Sequence, residues 1–284
     1  MKIAVSSYSF TQAINDGRMT MLDVIPKAKE LGFDGIEIVR MNQTDDEMLA
    51  LAEQLHAQSV ELDFPIVAYM VGNDFLKESI EDCVARLTRE LNIAKVLGAP
   101  AMRHDATAGV TADGKQLTFE EALPIIADGY RRVTEIAAEM GIRTMIENHG
   151  YFAQDALRVK KLVETVGHPN FGWLCDMGNF MCADEVSVES VKIAAPMAVH
   201  AHAKDFHWLS KDRYQPMDQG WFPTRDGNAL RGAIIGHGEV NVPECLKILR
   251  AAGYDSWLSV EFEGIEDCLM ALEADLANLK EMLG

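Results

Sequence analysis

The chain has 284 residues, 48% of them hydrophobic, which is ample for one large core. Its formal charge of −18 at pH 7 excludes nucleic acid and an anionic membrane as partners, because both demand a basic surface. Five cysteines with no CxxC pair suggest neither a disulfide framework nor a structural zinc site, and make a reducing cytoplasm the expected setting.

Lys2–Tyr8 is apolar and β-rich and reads as a first strand rather than a signal peptide. A helix follows Met19-Thr20 and runs to Glu30, with Gly32 as its stop, and Phe33–Val39 reads as the second strand. Thr44-Asp-Asp-Glu47 is a capping box opening a helix to about Ala57. Val60–Ile66 is expected as the third strand, with Asp63 inside it. A long helix at Glu78–Leu97 ends at Gly98, and Pro100–Arg103 makes the fourth strand. Thr118-Phe-Glu-Glu121 opens a helix that runs to Met140 and stops at Gly141. Further strands are predicted at Arg143–Glu147, Phe171–Cys175, Ala198–His202 and Trp257–Glu261. Helices are predicted near Ala156–Val166, Ser187–Ala194, Val242–Ala252 and Asp267–Met282. Eight strands alternating with helices imply a parallel sheet. Their number, with no GxGxxG after the first strand, favours a single (β/α)8 TIM barrel in one domain over residues 1–284. Phe206–Gly238 breaks the rhythm, with Trp208, Tyr214, Trp221 and Phe222 among Gly, Pro and charges, and is expected as a long loop over the barrel mouth after strand seven. No apolar run is long enough to span a bilayer.

Four of the strands end in a potential metal ligand: Glu147, Asp176, His202 and Glu261. They are separated by 29, 26 and 59 residues. A βα unit takes about 30 residues, so the ligands recur at the repeat of the fold, and barrels of this kind keep their chemistry at the C-terminal strand ends. Buried acids are rare unless paired or metal-bound, so a convergent set is not explained by packing alone. Two Glu, one Asp and one His suit Mn²⁺, Co²⁺, Mg²⁺ or Zn²⁺. His200 shares a face with His202, and Glu263 with Glu261. His149 and Asn179 lie just past ligands, and Lys204 and Asp205 close strand seven. Tyr8, Glu37, Asp63 and His104 are further strand-associated candidates.

The motifs Ile146-Glu147-Asn148-His149, Cys175-Asp176-Met-Gly-Asn179, His200-Ala-His202-Ala-Lys204-Asp205, Ile235-Gly-His-Gly-Glu239 and Leu258-Ser-Val-Glu261 resemble the xylose isomerase-like barrel superfamily, in its sugar phosphate isomerase/epimerase branch. The resemblance implies a divalent metal on Glu147, Asp176, His202 and Glu261, with the two glutamates as the acid/base pair. It implies an isomerase or epimerase acting on a keto-sugar or related hydroxy-ketone through a metal-stabilised enediolate. Ketose epimerases carry His-x-Gly-Glu where this chain has His202-Ala203-Lys204-Asp205. That departure looks more like dehydratase or isomerase relatives, so a keto-inositol or keto-sugar dehydratase is the alternative; a non-catalytic sugar-binding barrel is a third reading. Substrate contacts are expected from His104, His149, Asn179, Lys204, Trp208 and Arg225. The expected partner is a small carbohydrate; a homo-oligomer fits such an enzyme, although no interface is legible.

Overall fold

A computed structural model describes residues 1–213 and 219–284. The barrel strands are β1 (Lys2–Ser6), β2 (Gly35–Val39), β3 (Ile66–Val71), β4 (Ala101–His104), β5 (Arg143–Glu147), β6 (Phe171–Asp176), β7 (Ala198–Ala203) and, last in the chain, β11 (Trp257–Val260). They close in the order β1-β11-β7-β6-β5-β4-β3-β2, with every neighbouring pair parallel. The helices are α1 (Thr11–Asn15), α2 (Val24–Leu31), α3 (Asp45–Glu61), α4 (Ile80–Leu97), α5 (Phe119–Glu139), α6 (Ala156–Val166), α7 (Ser187–Ala194), α8 (Val242–Ala251) and α9 (Cys268–Leu283). This is the TIM barrel that the alternation implied. Both capping boxes form, at Thr44 and Thr118, and Gly32 and Gly98 end their helices in the left-handed region that favours glycine. No helix among the described residues is long and apolar enough to cross a membrane.

The third strand is a correction. The helix before it runs on through Val60 to Glu61, and the strand is Ile66–Val71, six buried residues in a row. A parallel strand covered on both faces reads as an unbroken apolar run rather than an alternating one. Asp63 therefore lies in the turn ahead of β3, exposed and at φ 47°, at the end of the barrel away from the mouth. The first strand also stops early: the Ser6 side chain accepts from the Tyr8 N–H and turns Ser7–Phe10 into a 3-10 segment.

The segment after β7 is not a shapeless loop. β8 (Asp205–Leu209), β9 (Phe222–Pro223) and β10 (Ala229–Ala233) form an antiparallel sheet in the order β8-β10-β9. Tyr214 lies outside the described residues. The sheet is tied to the barrel by Asp205, whose buried carboxylate accepts the backbone N–H groups of Phe206 (2.8 Å), Gly236 (2.9 Å), Gly238 (2.9 Å) and Val240 (3.0 Å). A Cβ at Gly238 would collide with that carboxylate, which explains the glycine there.

Asp205→Ala leaves four inward donors without an acceptor. Stranding even one buried polar group costs roughly 1–3 kcal/mol, so a loss on the order of 3 kcal/mol is expected in urea unfolding. Asp205→Asn, which keeps one acceptor oxygen, should lose less. A midpoint equal to wild type in the alanine variant would refute this role.

Candidate metal centre

Strand alternation brings the ligand set together. Met145 and Glu147, Leu174 and Asp176, and His200 and His202 face the barrel interior, while Ile146, Cys175 and Ala201 between them pack outward against the helices. Glu147 ends β5, Asp176 ends β6, His202 lies near the end of β7, and Glu261 follows the last residue of β11. Asp176 and His202 pair directly in register. One ligand atom from each of the four residues lies within 4.8 Å of all the others. His202 Nδ1 is 3.5 Å from Asp176 Oδ2, 3.7 Å from Glu261 Oε2 and 3.9 Å from Glu147 Oε1.

Each ligand is held from behind. Asp176 Oδ1 accepts the N–H groups of Gly178 (2.8 Å) and Asn179 (2.9 Å), which turns Oδ2 toward the others. Asn148 brackets the Asp176 backbone, donating to its carbonyl and accepting from its N–H. Glu147 Oε1 accepts from Asn179 Nδ2 (2.8 Å), and Glu147 Oε2 meets Arg103 Nη2 (2.6 Å). On its far side, His202 Nε2 lies 2.9 Å from Glu37 Oε1, off the axis of a strict hydrogen bond. Asp176 Oδ2 and His202 Nδ1 are buried and make no hydrogen bond. Two such atoms facing each other among carboxylates fit a divalent cation, and three carboxylates with one imidazole are a suitable donor set.

The charges are strongly coupled. Burial opposes the His202 imidazolium, but Glu37, Asp176 and Glu261 outweigh it and raise its pKa well above the usual value. Burial likewise opposes the Lys204 ammonium, but Glu261, Glu263 and Asp176 keep it charged. Lys204 Nζ lies 2.5 Å from Glu261 Oε2, 3.3 Å from Asn179 Oδ1, 3.6 Å from Asp176 Oδ2 and 3.7 Å from Glu263 Oε1. Burial would raise the Glu261 carboxyl, but Lys204 and His202 hold it well below the carboxylate range. The Glu263 carboxyl is raised, chiefly by burial, with Lys204 opposing and Glu261 adding to the rise.

Glu147, His202, Lys204, Glu261 and Glu263 line a cavity of about 310 Å³, together with Tyr8, Val39, Met70, Arg103 and His149. Arg103 spans Glu147 and Asp105 Oδ1 (2.9 Å), and Asp105 Oδ1 also accepts from His149 Nδ1 (2.9 Å). Burial works against the Asp105 carboxylate, yet Arg103 and His149 lower its pKa to about 2.

Of the expected substrate contacts, His149 and Lys204 reach the cavity. Asn179 is buried between Glu147 and Lys204 and braces both. His104 points outward and stacks on Tyr130, with ring centroids 4.4 Å apart, and burial lowers its pKa to about 4. Trp208 is 42% exposed on β8 and does not line the cavity. Arg225 clamps β9 and its turn to the loop after β5, through Asp155 (3.0 Å) and the Tyr151 carbonyl (2.6 Å). Arg103 went unread as a site residue. Either phase of Arg103-His104 is polar, so period two could not choose which one faces inward.

A closed (β/α)8 barrel with a carboxylate–imidazole centre at its strand ends defines the class. The chain belongs to the xylose isomerase-like TIM barrel family, whose model matches residues 25–282. Among curated relatives it is 23% identical over 240 residues to an inosose dehydratase of Clostridium perfringens strain 13, covering 82% of this chain and 78% of that protein. To the inosose dehydratase of C. perfringens strain ATCC 13124 it is 25% identical over 154 residues, which is 53% of this chain and spans only 50% of the relative. Among solved structures it is similar to the IOLI protein with a bound zinc atom, at TM-score 0.78 and 16% identity over 100% of this chain and 98% of that one. It is also similar to the probable 3-DHS dehydratase AsbF of Bacillus anthracis, at TM-score 0.73 and 20% identity over 99% of each chain. At these identities the structural likeness is one of fold.

Arg103→Met leaves two acids at the mouth without their shared cation. Breaking a buried ion pair from one side costs roughly 3–5 kcal/mol, and denaturant unfolding should show a loss of that order. Arg103→Lys should recover only part, because both contacts are made by Nη2 at the end of the longer arginine side chain, and an ammonium is the more strongly hydrated cation to bury. Wild-type stability in the Met variant would contradict the bridge.

Proposed function

We propose that the chain is a divalent-metal-dependent enzyme that removes the proton next to the carbonyl of an uncharged keto-sugar or keto-inositol, with Glu147 and Glu261 as its acid/base residues. The observation that supports this most is the convergence of Glu147, Asp176, His202 and Glu261, three of which line one cavity, with Asp176 Oδ2 and His202 Nδ1 buried and without a hydrogen bond. A divalent ion held by these four residues supplies Lewis acidity toward a carbonyl oxygen.

The chain's own groups supply the rest. Glu147 and Glu261 come from the outer two of four adjacent strands, β5 and β11, and so flank the other ligands. A substrate seated over the centre has a carboxylate on either side for proton transfer. Lys204 holds a buried positive charge at the cavity wall, where it stabilises negative charge developing on a substrate oxygen. Among the described residues, the Lys204 and Arg103 cations that line the cavity are already paired with carboxylates. A phosphate group therefore meets a wall dominated by acids, which is why the substrate is taken as uncharged.

Dehydration is the completion favoured here. The proton leaves the carbon beside the carbonyl, the hydroxyl on the next carbon departs with a delivered proton as water, and a carbon–carbon double bond forms. Glu263 stands at the cavity wall as a donor for that hydroxyl. The curated relatives described above are named dehydratases, and Lys204 occupies the position where the resemblance places an epimerase glycine. Isomerisation or epimerisation is the second reading, favoured by the two flanking glutamates, which suit removal of a proton on one face and its return on the other.

Metal-reconstituted protein in D₂O, followed by NMR with keto-inositols and keto-sugars, should show metal-dependent deuterium exchange and an unsaturated product. Glu147→Gln and Glu261→Gln should each slow exchange by roughly 10²–10⁴-fold. A rearranged, saturated product would select the second reading, and no exchange with any ketone would sink the proton-transfer assignment. In competition, a phosphorylated ketone should bind at least roughly tenfold more weakly than its free counterpart, a difference of about 1.4 kcal/mol; tighter binding of the phosphate would refute the charge argument.

A further inference from the structure

Below the ligand set lies a polar group that the proposed chemistry does not use. Glu37 of β2 is fully buried, and its two oxygens reach across the barrel to β7. Oε2 is hydrogen-bonded to His200 Nε2 at 3.1 Å, and Oε1 makes an ion-pair contact with His202 Nε2 at 2.9 Å, off the hydrogen-bond axis. His200 Nε2 is also 2.9 Å from Ser259 Oγ on β11, and Ser259 pairs in register with His202. Three barrel strands thus contribute to one buried cluster.

The two nitrogens of His202 face opposite groups. Nδ1 looks toward Asp176, Glu261 and Glu147, and Nε2 toward Glu37. A ring held at one nitrogen presents the other in a fixed direction and tautomer. A carboxylate in this place is costly to bury unless it has such partners.

We propose that Glu37 is a positioning residue of the metal centre: it fixes the His202 ring through Nε2 so that Nδ1 is offered to the ion, and His200 with Ser259 fixes Glu37 in turn. The assignment rests on the metal-dependent reading above. Outer partners of a ligating histidine typically change metal affinity by roughly 10–100-fold, and that is the size of effect expected here.

The test uses the full chain, with Co²⁺ and Zn²⁺ titrated by calorimetry and the Co²⁺ centre followed by its visible absorption. Glu37→Gln keeps the side-chain size and removes the charge. It should bind both ions roughly 10–100-fold more weakly and shift the Co²⁺ bands, effects that a purely structural loss would not produce in a folded variant. Glu37→Asp, with the carboxylate withdrawn by one methylene, should recover part of the affinity. If Glu37→Gln fails to fold, Glu37→Asp and Ser259→Ala carry the measurement, each with weakened binding and shifted bands. Wild-type affinity and an unchanged spectrum in Glu37→Gln, or in both fallback variants, would overturn the assignment while leaving the metal reading intact. A wild-type chain that takes up neither ion would overturn both.

Discussion

Carboxylate crowding at the barrel mouth is the constraint on which the rest of this structure depends. Asp105, Glu147, Asp176, Glu261 and Glu263 converge there with Glu37 beneath them, and Glu37, Glu147 and Asp176 are almost wholly out of solvent. Isolated buried charges are prohibitive, so each acid needs a counter-group. The chain answers by sharing cations. Arg103 serves Glu147 and Asp105, Lys204 serves Glu261 with Asp176 and Glu263 close by, and two imidazoles serve Glu37. Closure of the sheet makes this sharing achievable, since Glu37 and His200 are 163 residues apart in the chain and in contact in the fold. Among the described residues, the buried atoms of this cluster that still lack a hydrogen bond include the facing pair Asp176 Oδ2 and His202 Nδ1, and Glu37 Oε1 with His202 Nε2 behind them.

The sheet inserted after β7 serves this mouth indirectly. Among the described residues its aromatic side chains do not line the cavity: Trp221 packs against Arg231, and Phe222 lies against Phe206. Its polar groups instead reach sideways. Arg225 grips Asp155 and the Tyr151 carbonyl, and the Tyr151 hydroxyl donates to the Pro223 carbonyl (2.6 Å). Asp184, held at positive φ, gathers Thr224, Asp226 and Asn228. The loop steadied by these contacts carries His149 near its start, at the cavity edge. Asp205 anchors the other end of the inserted sheet, one residue past Lys204. The insertion thus acts as a brace between the two segments that carry His149 and Lys204.

The barrel was legible because its signals are local: capping boxes at Thr44 and Thr118, helix-ending glycines, and apolar runs at a steady interval. The third strand was misplaced because Val60-Glu-Leu-Asp-Phe-Pro-Ile66 alternates apolar and polar residues as a half-buried strand does, whereas the strand itself, Ile66–Val71, is an unbroken apolar run with no period to read. The ligand set followed from position at strand ends, where an acid after an apolar run has few bland explanations. Arg103 did not follow, because phase in a short polar strand end is set by tertiary packing: Tyr130 of α5 offers an aromatic face to His104 and leaves Arg103 to turn inward. Trp208 and Arg225 read as cavity residues because the sequence of the inserted segment, without periodicity, reads as a covering loop. Its strand pairing, which sends Trp208 outward and Arg225 to a neighbouring loop, depends on register that its sequence does not display.

Removal of the proton beside a carbonyl is common to dehydration, isomerisation and epimerisation, so the residues proposed to hold an ion cannot distinguish these outcomes. The distinction lies in what stands around them. Returning a proton to carbon asks for a carboxylate free to exchange its proton on each face. Expelling a hydroxyl asks for a fixed positive charge to restrain the developing oxyanion and an acid close to the leaving oxygen. In this chain one flanking carboxylate, Glu147, is pinned by Arg103 and Asn179, while beside the other stand a buried ammonium and a second carboxyl, Glu263, whose pKa is raised chiefly by burial. The two sides therefore differ: His149, bound to Asp105, stands on the Glu147 side, and the ammonium with Glu263 on the Glu261 side, and elimination uses such an unequal arrangement more naturally than two-faced proton return does.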